Sequence, residues 1–147
     1  MICADVNVLI GALRLDHASH RVCKTLLENE IASGQVFGIS PLALSSVVRI
    51  ATTPRFHLVP STIAEVFAFA DALLSRPNCM VVEPGRRHWD IFKELILASN
   101  IHSKLVTDAW FAALAIEHGC EWVTLDRDFG KFKGLKWRLV TSRVGPQ

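Results

Sequence analysis

Four aspartates in this chain stand where an acid can do more than meet solvent: Asp5, Asp108, Asp126 and Asp128. Asp5 ends the short apolar run Met1-Ile2-Cys3-Ala4, and Asp126 ends Trp122-Val123-Thr124-Leu125. Asp108 opens an apolar helical pattern, where the helix dipole favours its charge by roughly 0.3–1 kcal/mol. Asp128 follows Asp126 after a single residue. Taken singly, each reads first as a cap or turn residue, because Asp is favoured in both places. Taken together they imply more. Clustered carboxylates repel and raise one another's pKa unless a cation sits among them. The cation suited to all-oxygen ligands is Mg²⁺ or Mn²⁺, held by one or two carboxylates and several waters. Such an ion activates water and neutralises charge on a phosphoryl oxygen. The set therefore points to metal-assisted phosphodiester chemistry, provided that the fold brings the acids together.

That condition requires the runs before Asp5 and Asp126 to be neighbouring strands. In open α/β sheets, ligands bind beyond the carboxyl ends of the strands. The remaining pattern is consistent with such a sheet. Further strands are expected at 36–40, 79–82 and 137–141, with the fourth at 122–126. Helices are expected at 6–15 and 17–32, the second capped by Asp16 and closed by Gly34. Ser40 and Pro41 form a cap and first-position pair for a helix ending before Thr53. Ser61 or Thr62 opens the next helix, which stops at Arg76-Pro77-Asn78. Two more are expected at 88–99 and 108–118, the last ended by Gly119. Strands separated by helices predict a parallel sheet covered on both faces.

A chain of 147 residues is long enough for one domain with a real core. That domain is expected over residues 1–142, followed by a short tail at 143–147. Mean hydropathy is +0.30, yet the apolar runs fall well short of the roughly 20 residues a membrane span needs. No basic segment precedes the first apolar residues, so no signal peptide is expected and the predicted location is the cytoplasm. The net charge is only +2, but Lys and Arg gather late, from Arg86 and Arg87 through Lys104 to Arg143. Such residues meet phosphate or simply solvent. Cys3, Cys23, Cys79 and Cys120 lack metal-binding spacing and read as reduced core residues. The six histidines are too dispersed to form a ligand set or a triad. Ser45, Ser46 and Cys120 have no His–Asp companions in a recognisable pattern, which argues against nucleophilic catalysis.

The sequence resembles the PIN-domain family and, within it, the VapC ribonuclease toxins of type II toxin–antitoxin systems. The resemblance is carried by Asp5-Val6-Asn7-Val8-Leu9, Ile39-Ser40-Pro41-Leu42, Arg49-Ile50, Val106-Thr107-Asp108-Ala109 with Ala112-Ala113-Leu114-Ala115, and Val123-Thr124-Leu125-Asp126-Arg127-Asp128-Phe129. No one of these segments is specific; their order and spacing across nearly the whole chain are. The resemblance implies a three-layer α/β/α sandwich with a central parallel sheet of about five strands. It also implies an acidic pocket binding Mg²⁺, with Mn²⁺ as the alternative, and hydrolysis of RNA by a metal-activated water. By position, Asp5, Asp108 and Asp126 would form the catalytic metal set, and Asp128 would hold a second metal or orient water. Asn7 and Thr124 would hold the carboxylates by hydrogen bonds. The implied partners are an RNA substrate, a cognate antitoxin and a second copy of the chain.

One position departs from the family pattern. A glutamate is usual in the helix after the second strand, and here Ser46 occupies its place. Ser46 can hydrogen-bond a water but supplies no charge. Asp90 and Glu94, which share a helical face, are candidate compensating acids. The alternative is a metal held by fewer acids, as Mg²⁺ tolerates. Two rival functions follow: a PIN-like domain that binds RNA or antitoxin with little or no cleavage, and a small α/β phosphohydrolase with Asp5 as nucleophile. Asn7 counts against the second, because such enzymes commonly place another Asp there.

Overall fold

The structure is a computed structural model that describes residues 1–141, so the 143–147 tail lies outside the described residues. Five strands form one parallel sheet: β1 (Ile2–Ala4), β2 (Phe37–Ile39), β3 (Cys79–Val81), β4 (Glu121–Thr124) and β5 (Trp137–Leu139). Their order is β3-β2-β1-β4-β5. β1 pairs with β4 in register, Ile2 opposite Glu121 and Ala4 opposite Val123. Six helices fill the connections: α1 (Val6–Leu13), α2 (His20–Ser33), α3 (Pro41–Ala51), α4 (Ile63–Leu74), α5 (His88–Ser99) and α6 (Leu105–His118). The chain moves outward from β1 to β3 through α1–α4, then returns across the sheet through α5 and α6 to β4. Right-handed crossovers then put these two groups of helices on opposite faces. The three-layer α/β/α reading of the sequence stands.

This winding has a consequence for function. The direction of strand addition reverses between β1 and β4, which makes their carboxyl ends the topological switch point where such sheets bind ligands. The core beneath this point is aromatic. Trp122 stacks on Phe111 of α6 at 5.3 Å and meets Phe129 at 5.7 Å, and Phe129 in turn meets Phe132. On the other face, α1 and α2 approach closely because residue 11 is glycine: a Cβ there would stand 2.8 Å from Cys23 Sγ. Cys3, Cys23 and Cys120 are buried, and all four cysteines are free thiols. No helix among the described residues is long and apolar enough to cross a membrane.

Local signals place most boundaries correctly. Ser40 Oγ accepts from the Ala43 N–H ahead of Pro41, Thr62 and Glu65 form a reciprocal capping box, and Gly34 and Gly119 close α2 and α6 in left-handed backbone. Four expectations need correction. The predicted 6–15 helix stops at Leu13, and α2 starts at His20 rather than 17 because Asp16 does not cap it. Both Asp16 oxygens instead receive the buried Arg14 guanidinium, at 3.0 and 2.8 Å, and Arg14 also donates to Ser61 Oγ and the Val59 carbonyl. α6 starts one turn early, at Leu105, whose side chain packs against the core. β4 stops at Thr124, because the Leu125 N–H turns away to donate to Asn7 Oδ1.

Candidate active site

Asp5 is positioned three times over by backbone geometry. Its N–H donates to the Val123 carbonyl at 2.9 Å, extending the β1–β4 ladder by one residue. Its carbonyl opens α1 by accepting from Val8 and Leu9, and its Oδ1 accepts from the Val6 N–H at 2.7 Å as the helix N-cap. The cap reading of Asp5 therefore holds. The other oxygen, Oδ2, accepts from the hydroxyl of Thr124 at 2.5 Å. Thr124 is wholly buried, and its Oγ1 also accepts from the Asp126 N–H at 3.0 Å and from Asn7 Nδ2 at 3.4 Å. Asn7 completes the network through the Leu125 N–H at 3.1 Å. The last residue of β4 thus holds the acid of β1, and the residue after that acid's helix start holds the turn beyond β4.

Asp126 lies just past the strand rather than in it. Its Oδ1 accepts from the Asp128 N–H at 2.9 Å, capping a 3-10 turn over Arg127–Lys131. Phe129 in that turn is buried, so the turn is anchored from below while Asp128 stays on its outer side, 3.4 Å from Lys131 Nζ. The Asp128–Lys131 pair was not anticipated from the sequence, although its i,i+3 spacing was visible there. Asp108, in the first turn of α6, is half-buried.

The acids feel one another. Burial pushes the Asp5 carboxyl from the ordinary 3.8 up to about 6, the Thr124 and Val6 hydrogen bonds oppose this, and the charges of Asp108 and Asp126 add to it. Asp108 rises likewise to about 6, through burial and then the charges of Asp126 and Asp128, with Lys104 opposing. Among the described residues, no basic side chain figures in the groups that set Asp5. Ser46 is half-buried on α3 and adds no charge. Asp90 and Glu94 are exposed on α5; Asp90 lies 3.9 Å from Lys93, and neither acid figures among the groups acting on Asp5 or Asp108.

Such a donor set suits a hard divalent cation. It offers carboxylate oxygens whose mutual repulsion a cation would relieve, and Thr124 keeps one of them oriented. Among the described residues no three His, Cys, Asp or Glu side chains close into a preformed cage.

Comparison with known proteins agrees with this geometry. The PIN domain family model matches residues 2–135. The chain is 34% identical over 138 residues to VapC ribonuclease Mb2897 of Mycobacterium bovis, covering 94% of both chains. It is 35% identical over 136 residues to ribonuclease VapC31 of Mycobacterium tuberculosis, covering 92% of this chain and 96% of that one. Among solved structures, VapBC2 from Rickettsia felis bound to a promoter DNA fragment shares the fold with a TM-score of 0.69 at 17% identity, over 95% of this chain and 98% of that one. VapC20 of Mycobacterium tuberculosis, described as a Sarcin-Ricin loop cleaving toxin, does so with a TM-score of 0.65 at 18% identity, over 92% and 99%. An acidic switch point between β1 and β4, on a sheet shared with these structures and in a sequence shared with the VapC ribonucleases, leads to one assignment: the chain belongs to the PIN domain family.

Proposed function

We propose that this protein is a Mg²⁺-dependent endoribonuclease, the toxin of a toxin–antitoxin pair. One observation carries the reading: a buried Asp5 at the switch point, its carboxyl raised to about 6 by burial, with the charges of Asp108 and Asp126 adding to the shift. The similarity to ribonucleases over most of the chain supports it. Asp5, Asp108 and Asp126 are the proposed ligands, with Asp128 beside them; Mn²⁺ would serve the same oxygen donors. When bound, the ion supplies Lewis acidity toward a phosphoryl oxygen and acidifies water. Thr124 holds Asp5 Oδ2 in one orientation, and Asn7 holds Thr124 and the Leu125 turn. The Asp128 N–H holds Asp126 Oδ1.

Partners follow from the same relatives. Solved neighbours include VapBC assemblies from Rickettsia felis and Salmonella typhimurium. An antitoxin is the proposed inhibitor of this chain, and a homodimer its proposed assembly. Four free thiols accord with a reducing, cytoplasmic location.

Incubation of antitoxin-free protein with total RNA, in Mg²⁺ or EDTA and beside Asp5→Asn, tests the reading. Cleavage that needs Mg²⁺ and is lost in the variant is expected; cleavage indifferent to both would overturn it. A second reading, of a domain with weakened catalysis, is favoured by the neutral Ser46 at the family's glutamate position. Under that reading Ser46→Glu raises Mg²⁺ affinity and turnover together. An unchanged affinity would place the position away from the metal.

A further inference from the structure

Beside the acids lies a cavity of about 710 Å³ whose chemistry is opposite in sign. It is lined by the loop joining α5 to α6, chiefly Asn100, Ile101, His102, Ser103 and Lys104, and by Lys131 from the 3-10 turn after β4. The volume lies in the range of small-molecule sites, about 300–1,000 Å³. Its two cations each face one of the acids. Lys131 Nζ stands 3.4 Å from Asp128, and the charge of Lys104 lowers the pKa of Asp108. The loop leaves α5 through Asn100 in left-handed backbone, with φ of 47°, a common helix-closing conformation for Asn, and Ser103 also has a positive φ of 62°. It is held there by Ile101, which is buried and donates its N–H to the Ile96 carbonyl at 3.1 Å.

We propose that this cavity is the seat of the nucleotide next to the cleaved bond, with Lys104 and Lys131 binding the phosphate that flanks the one held by the acids. The inference rests on the ribonuclease reading above. A site lined by carboxylates repels a polyanion, so a strand crossing it needs cations at the next phosphate. The lysines stand beside Asp108 and Asp128, where that phosphate would fall. Ile101 and Leu105 give the cavity an apolar wall for a base or ribose, and Ser103 and Asn100 give it polar groups for a 2′-hydroxyl or a base edge. An unstacked nucleotide fits such a mixture, since single-stranded RNA is read by stacking and by its exposed edges. An acidic antitoxin segment is the competing occupant. RNA is favoured because the basic cavity adjoins the site proposed to cut it.

The test uses full-length chains carrying Asp5→Asn, without metal, and a fluorescein-labelled eight-nucleotide single-stranded RNA read by anisotropy across a salt series. Adding Lys104→Gln with Lys131→Gln should weaken binding by about tenfold or more. It should also flatten the log–log salt slope by about 0.7, the value for one lost phosphate contact on a single strand. Lys24→Gln, on α2, should change neither. In parallel, the RNA should shift the backbone amide resonances of Asn100 to Lys104. Binding with an unchanged slope in the double variant overturns the subsite, as do amide shifts confined to other segments and the absence of any RNA binding. The subsite also falls if an antitoxin peptide shifts this loop and RNA does not. Unchanged RNA binding in the double variant leaves the cleavage reading intact; absence of metal-dependent cleavage by the parent chain, with an altered slope in the double variant, would sink that reading alone.

Discussion

Asp5 and Asp108 are both raised to about 6, yet they are held by opposite means. Asp5 is the more buried, and it is fixed by two hydrogen bonds, from Val6 N–H and from the Thr124 hydroxyl. Asp108 owes its place to the axis of α6 and its charge balance to Lys104, a flexible side chain on the loop before it. One half of the site is thus built into the β1–β4 seam, and the other is carried on a helix whose entry loop holds two left-handed residues. The difference teaches that orientation at Asp5 is a property of the sheet, whereas at Asp108 it depends on how the α5–α6 loop is seated. Substitutions on the two sides should therefore fail differently.

Asp5→Asn should have the largest effect, lowering Mg²⁺-dependent RNA cleavage by roughly 10³-fold, the scale of losing a fixed electrostatic group from a reacting centre. Next comes Thr124→Val, which keeps the shape but removes the hydroxyl donor. Calorimetric Mg²⁺ affinity should fall by about 10–100-fold, and the Asp5 carboxyl should titrate still higher, since the lost bond is one that lowers it. An unaltered titration by carboxyl NMR would show that Thr124 does not act through Asp5.

The third prediction concerns pH. In the metal-free chain both acids bind protons more tightly folded than unfolded, about 6 against the ordinary 3.8. Between those values the folded form holds the extra protons, so stability is full below pH 4 and is lost as pH rises toward 6 and beyond. At neutral pH, Asp5→Asn should therefore raise the metal-free melting temperature by a few degrees, about 2–4 °C for each kcal/mol relieved. Mg²⁺ should stabilise the parent chain more than the variant. A variant that melts lower without metal would mean that the Val6 and Thr124 bonds outweigh the desolvation of the charge. The smallest effect is expected from Lys104→Gln, which should raise the Asp108 titration slightly and leave Asp5 unchanged, as no lysine figures among the groups acting on Asp5.

Much of this architecture was legible in short stretches. Ser40-Pro41, the Thr62–Glu65 box and the glycines after α2 and α6 act within one turn of helix, so their types and spacing suffice. Asp16 misled for the same reason. Nothing local says that Arg14 will be buried and will take both of its oxygens, because Arg14 is held by Ser61 and Val59, far along the chain. The acids were legible as candidates, each following an apolar run. That Lys131 and Lys104 share one cavity was not, since they stand on separate elements that meet only when the last turn docks on its aromatic bed.

By itself, the sequence determined the alternation of strands and helices, the places where acids follow them and the absence of a charge at Ser46. Those features depend on side-chain type and on contacts a few residues long. Only the tertiary structure decided that β1 lies beside β4 and that the Thr124 hydroxyl reaches Asp5 across 119 positions of sequence. Strand order is settled by the competition of whole faces for burial, and no window of residues contains that comparison. Four aspartates made the site legible as a candidate; the sheet order brought the ends of β1 and β4 side by side.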